Sequence, residues 1–224
     1  MPSIAELRAA CSTYASSGNY DQPYAAFVEA TEGAPNLARE DHRMALLKWL
    51  NACGCRQFSR ESHALASEEL LCWNVEFIQK IPAPSITLID LPEGSLPDIH
   101  DAYTSLCRKT ASLRTFRKGS FPSVIKFSET GASKILFAIR PGIFLPWDQA
   151  IRENFIKARP CSSYVNFLWE AKTVALEIKK ECERKGIALT ALPALLGRPH
   201  SSIPKLLDEY NCVVVTSAKK KLRK

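Results

Sequence analysis

The sequence predicts an all-α protein built as two helical subdomains with a cleft between them. Three observations predict it. Apolar residues recur at spacings of three and four along most of the chain, one proline-rich stretch interrupts that periodicity near the middle, and a single short run, NCVVVT at 211–216, has strand character. One short strand cannot complete a sheet, so helices must bury one another. With 224 residues and 46% hydrophobic content, the chain can enclose a core without disulfide or metal staples.

In chain order, the periodicity predicts helices over 4–16, 22–31, 37–53 and 61–81, with Asn36 and Ser59 placed as N-caps. These form an N-terminal subdomain, 1–81. Residues 82–98 contain Pro82, Pro84, Pro92 and Pro97, which cannot lie in a helix interior, and the segment reads as an ordered crossing between subdomains. Beyond it come a helix over 97–110, the basic stretch RKTASLRTFRK at 108–118, short helices over 122–127 and 130–139, and another opening at Trp147. A long amphipathic helix over 162–185 ends at Gly186, and Pro193, Pro199 and Pro204 divide the remaining residues into short pieces. The second subdomain is thus 99–217, with the basic tail 218–224 after it.

Charge is spread unevenly. Residues 1–107 hold 7 Lys and Arg against 14 Asp and Glu, a balance of −7, while residues 108–224 hold 23 against 9, a balance of +14. A positive half is the footprint of a polyanion partner, nucleic acid above all, although a solvated basic tail contributes to it. No apolar run approaches the length that spans a bilayer, and the first residues, MPSIAELRAACSTYASS, carry charge where a secretory leader needs an unbroken apolar stretch. The expected location is cytoplasmic, without membrane contact. The eight cysteines sit scattered in apolar segments and read as buried thiols; Cys53 and Cys55 are the one close pair, and neither they nor the four histidines have metal-ligand spacing. No metal or other cofactor is expected.

Two stretches can carry chemistry. Glu129-Thr130-Gly131-Ala132-Ser133-Lys134 places small residues at a helix start, where unpartnered backbone amides suit a phosphate and Lys134 adds charge; the same residues also suit a helix packed closely on its neighbour. The apolar run after it breaks at Arg140-Pro141-Gly142, resumes at Ile143-Phe144-Leu145, and leads through Pro146 and Trp147 to Asp148, which opens the next helix. Aspartate is a favoured N-cap, worth about 0.5–2 kcal/mol. Yet only Asp148 and Asp208 are aspartates in the positive half, so a carboxylate here also fits a reactive role beside an aromatic wall.

This order of parts resembles the core of the helix-hairpin-helix superfamily of DNA glycosylases, over roughly residues 130–152. The resemblance implies that Asp148 takes the place of the family's catalytic aspartate, Gly131 that of a hairpin glycine, and Lys134 that of the lysine used by members that also cleave the strand. The chain departs from the pattern in having one hairpin glycine rather than two, and in a stretch from Lys134 to Asp148 that is shorter by about one helical turn, about 5 Å along the axis. The iron–sulfur cysteines of some relatives are missing. Water activation by Asp148 is therefore favoured over Schiff-base chemistry by Lys134.

The implied function is a monofunctional glycosylase, a hydrolase that acts as a monomer. It flips a nucleotide out of double-stranded DNA and removes a damaged or modified base, leaving an abasic site. Some similar small proteins act against phage whose DNA carries bulky modified cytosines, which makes antiviral defence a second possible setting beside base-excision repair. Phosphate contacts are expected from Arg114, Arg117, Lys118, Lys126, Ser133 and Arg152, and base-pocket walls from Trp147, Phe144, Trp73, Asn74 and Tyr103. The competing readings are a noncatalytic DNA-binding module, in which Asp148 only caps its helix, and a domain that binds an acidic protein.

Overall fold

A computed structural model describes residues 1–17, 21–55, 62–114, 123–159 and 163–221. Ten α-helices and one two-stranded sheet account for most of them. The chain is thus all-α in its main architecture. No helix among the described residues is long and apolar enough to cross a membrane.

The helices sort into two compact units, and neither is continuous in sequence. Unit 1 comprises residues 1–18, 84–93 and 140–224; unit 2 comprises 19–83 and 94–139. This differs from the expected division into 1–81 and 99–217. The proline-rich segment is one place where the chain changes unit, but it changes again after Gly18 and after Ile139, because the first helix buries its apolar face on the last.

In unit 1, α1 (Ile4–Ser17) turns Ile4, Leu7, Ala10 and Cys11 inward, a three- and four-residue spacing that makes one stripe. It packs on α10 (Ile203–Lys221). The run at 211–216, expected as a strand, lies inside α10. Its β-branched side chains slightly disfavour a helix, yet Leu206, Leu207 and Val215 are buried along the same element, and packing of that face outweighs the propensity. Between them in sequence lie α7 (Gln149–Ala158), α8 (Tyr164–Arg184) and the short α9 (Leu192–Leu195). Ser163 starts α8 with a reciprocal capping box to Asn166. Gly186, at φ +66°, ends it, and the Ile187 amide donates back to the Cys182 carbonyl over 2.9 Å.

In unit 2, α2 (Asp21–Ala30), α3 (Glu40–Ala52) and α6 (Ser128–Ile139) enclose Tyr24, Phe27, Trp49 and Phe137, with Phe27 stacked on Trp49 at 5.6 Å and Tyr24 tilted on Phe137 at 5.3 Å. The helix start expected after Asn36 falls later. Asn36 Oδ1 accepts from the Ala38 amide to close a turn, and Arg39 stands at the N-cap of α3. The other expected cap, Ser59, lies outside the described residues. A second layer, α4 (His63–Phe77) and α5 (Leu96–Arg108), is tied together by the Trp73 indole N–H, which donates to the Ala102 carbonyl over 2.9 Å. The basic stretch begins as strand β1 (Thr110–Arg114), antiparallel to β2 (Ser123–Lys126), where the sequence predicted a short helix over 122–127. Ala111, Ser112 and Phe127 are buried, and the Phe127 amide donates to the Lys109 carbonyl, which anchors both strands to the helical layer.

Candidate functional site

The segment leading to Asp148 is rigid for identifiable reasons. The Arg140 carbonyl accepts from the amides of Ile143 and Phe144 at 3.0 and 3.1 Å, closing a tight turn through Pro141 and Gly142. The Gly142 carbonyl in turn accepts from the Leu88 amide, and Ser202 Oγ donates to the Pro141 carbonyl at 2.6 Å. Residues 143–147 are all buried, and the Tyr164 hydroxyl donates to the Leu145 carbonyl. Trp147 stacks on Phe167 at 5.6 Å with ring planes 12° apart, and Tyr164 and Phe155 complete the aromatic cluster.

Asp148 comes directly after. It occupies the N-cap of α7 with extended backbone angles, and its carbonyl accepts from the Arg152 amide at 2.9 Å, but its side chain makes no capping hydrogen bond. The carboxylate is therefore not consumed by the helix amides, the bland role that the sequence allowed. The residue is half-buried directly after Trp147, and its Oδ1 is enclosed. One turn on, Arg152 sets its guanidinium 6.0 Å from the centroid of the Trp147 ring, and its Nη1 is enclosed without a hydrogen-bond partner among the described residues. Unit 1 thus brings Trp147, Asp148 and Arg152 together, with Phe144 in the buried segment that precedes them.

The remaining expected site residues belong to unit 2. α6 begins two residues earlier than the sequence predicted, at Ser128, whose φ of +57° puts it in the left-handed region. Gly131 is the fourth residue of the helix and is buried, so its expected place at a phosphate is corrected to one inside the packed helix. Ser133 is the sixth, past the first turn; it is buried, and its Oγ donates to the Thr130 carbonyl at 3.0 Å, so its expected phosphate contact is corrected to a helix-internal one. Lys134 is only 8% exposed, and its Nζ donates to the Cys53 carbonyl at 3.1 Å, just past the end of α3. Carbonyls at a helix C-terminus favour a cation there. Tyr103 is buried, with its hydroxyl 3.5 Å from the Glu129 carbonyl, and Asn74 is buried in α4. Arg114 and Lys126 are exposed on the two strands. Arg117 and Lys118 lie outside the described residues.

Three of the aromatic assignments are corrected by burial. Phe144 and Trp73 have no exposed surface, Trp147 is buried with a face stacked on Phe167, and a ring so enclosed has no face to offer a base. All three are core residues whose apolar area is spent on packing.

Sequence reasoning missed a buried polar cluster on α10. Arg198 Nε and Nη2 both donate to Glu209 Oε1, at 3.1 and 2.6 Å, and Lys205 Nζ lies 3.2 Å from Asp208 Oδ2 and 3.2 Å from the Tyr14 hydroxyl. Burial pulls the Lys205 pKa down, but Asp208, Tyr14 and Glu209 outweigh it and hold the ammonium above the ordinary lysine value. Burial pushes the Cys11 thiol up to about 12, with Glu209 adding to the effect, and also raises the Tyr14 hydroxyl. A charged lysine beside a neutral thiol and phenol holds helices together rather than attacking a substrate. The signal was present in the sequence as Lys205, Asp208 and Glu209 at three- and four-residue spacing, but only the fold shows that this face is covered. No protein-family model, curated protein or solved structure matches the chain.

Proposed function

We propose that the protein is a DNA glycosylase that everts a nucleotide from duplex DNA and hydrolyses its N-glycosidic bond, with Asp148 as the reacting carboxylate. The observation that carries this reading is the place of Asp148: at the N-cap of α7, half-buried beside Trp147, with its side chain not engaged in capping. Breaking the bond between sugar and base builds positive oxocarbenium character on the sugar, and a preorganised carboxylate stabilises that charge and orients the attacking water. The water oxygen bonds to the sugar carbon, and the base departs with its electron pair and a proton. The guanidinium of Arg152, one turn along α7, suits a phosphate of the same nucleotide. The all-helical architecture agrees with the family resemblance around residues 130–152.

The test is incubation of the purified protein with duplexes carrying oxidised, alkylated and deaminated bases and bulky modified cytosines, and then alkaline cleavage at abasic sites. Base release from one substrate class is expected. Asp148→Asn is expected to reduce it by at least about a hundredfold, the scale of losing a transition-state charge partner, while duplex affinity stays equal or rises. A variant that still generates abasic sites at the wild-type rate removes Asp148 from the chemistry. Wild-type protein that binds duplex but releases no base favours the noncatalytic module.

A further inference from the structure

The β1–β2 ribbon presents a face that base excision at Asp148 leaves unexplained. Leu113 and Val124 are directly opposite each other in the antiparallel register, so their side chains leave the ribbon on the same side. They are 49% and 57% exposed. In unit 2 the other strongly exposed large apolar side chain among the described residues is Val75, which stands on α4. Single exposed aliphatics are ordinary, whereas a cross-strand pair makes a small continuous apolar surface. Lys126, two residues beyond Val124, projects on that same side by the alternation of a strand and is exposed, whereas Arg114, next to Leu113, leaves the ribbon on the other side. A two-stranded ribbon is marginal by itself. This one is held by the burial of Ala111, Ser112 and Phe127.

An apolar pair with a lysine beside it on the same face fits a partner whose apolar surface is bordered by negative charge. Duplex DNA has that chemistry, since base edges and sugars lie between two rows of phosphates, and its major groove, about 12 Å wide, admits a two-stranded ribbon. We propose that this face of the ribbon docks on duplex DNA, with Leu113 and Val124 against base edges or sugars in a groove and Lys126 at a flanking phosphate. The proposal rests on the reading of the protein as DNA-acting, but not on Asp148.

The experiment uses the full chain, a fluorescently labelled unmodified duplex and anisotropy titrations over a range of salt. Leu113→Ser combined with Val124→Ser is expected to weaken binding about tenfold at unchanged salt slope, the scale of losing two partly buried aliphatic contacts. Lys126→Ser is expected to lower the slope of log affinity against log salt by about one. Because all three side chains are exposed, helical circular dichroism and the melting midpoint should match wild type. Double-variant binding equal to wild type overturns the docking proposal and leaves the glycosylase reading standing. Weakened binding together with no base release by the wild type supports the ribbon and sinks the glycosylase reading. Absence of duplex binding by the wild type overturns both. Unchanged duplex affinity with lost binding to phosphatidylserine vesicles overturns the proposal in favour of a membrane surface.

Discussion

Lys134 has the residue type and approximate position of a strand-cleaving nucleophile, but its surroundings give it other work. Its stem runs within α6, it is nearly enclosed, and its ammonium donates to the Cys53 carbonyl at 3.1 Å. A Schiff base requires an amine that reaches the sugar, whereas this one is nearly enclosed and turned to the Cys53 carbonyl after α3. Borohydride treatment with abasic duplex is therefore expected to trap no covalent adduct. Lys134→Met is expected to lower stability by about 1–3 kcal/mol, read from urea unfolding, because a part-buried acceptor loses its donor. A trapped adduct that disappears in Lys134→Met at unchanged stability would restore the nucleophile. Asp148 illustrates the opposite case. The sequence placed it correctly at a helix start, and only the coordinates show that its side chain does not cap that helix.

Among the elements, α10 departs furthest from what its residues suggest alone. A β-branched run and a lysine tail hide an amphipathic helix whose inner face carries Leu206, Leu207 and the carboxylates of Asp208 and Glu209. Glu209 is fully enclosed and serves Arg198 and Lys205 at once. Truncating it leaves two cations without their shared partner, so Glu209→Ala is expected to cost about 3–5 kcal/mol by urea unfolding. Arg39→Ala, which removes the exposed pair with Asp41 at 2.6 Å, should leave the urea midpoint close to wild type. A midpoint for Glu209→Ala that matches Arg39→Ala would show that the cluster contributes nothing net. Lys205 titrates above its ordinary value of 10.5, so its contribution is complete below that pH and is lost only as pH rises through the higher folded value. The helix expected over 122–127 is strand β2 for a related reason: a segment that short carries too little periodicity to fix its conformation, and pairing with β1 decides it.

For the whole molecule, the contrast of −7 and +14 between sequence halves does not survive folding. Counted by compact unit, unit 1 holds 17 Lys and Arg against 11 Asp and Glu, a balance of +6, and unit 2 holds 13 against 12, a balance of +1. The polyanion argument then rests on local surfaces such as the ribbon and α7 rather than on one basic half. Duplex affinity is still expected to fall about tenfold between about 50 and about 200 mM salt for every two phosphates neutralised. An affinity flat over that range would remove the polyanion partner altogether. The sequence by itself determined the all-helical class, the turn before Asp148 and most helix spans, because the three- and four-residue periodicity, proline and glycine act within a few residues of themselves. The tertiary structure decided which segments share a core, that Phe144 and Trp73 are sealed, that Lys134 is held at the end of α3, and that Leu113 faces Val124. Each of these depends on contacts between residues distant along the chain, which no local pattern records.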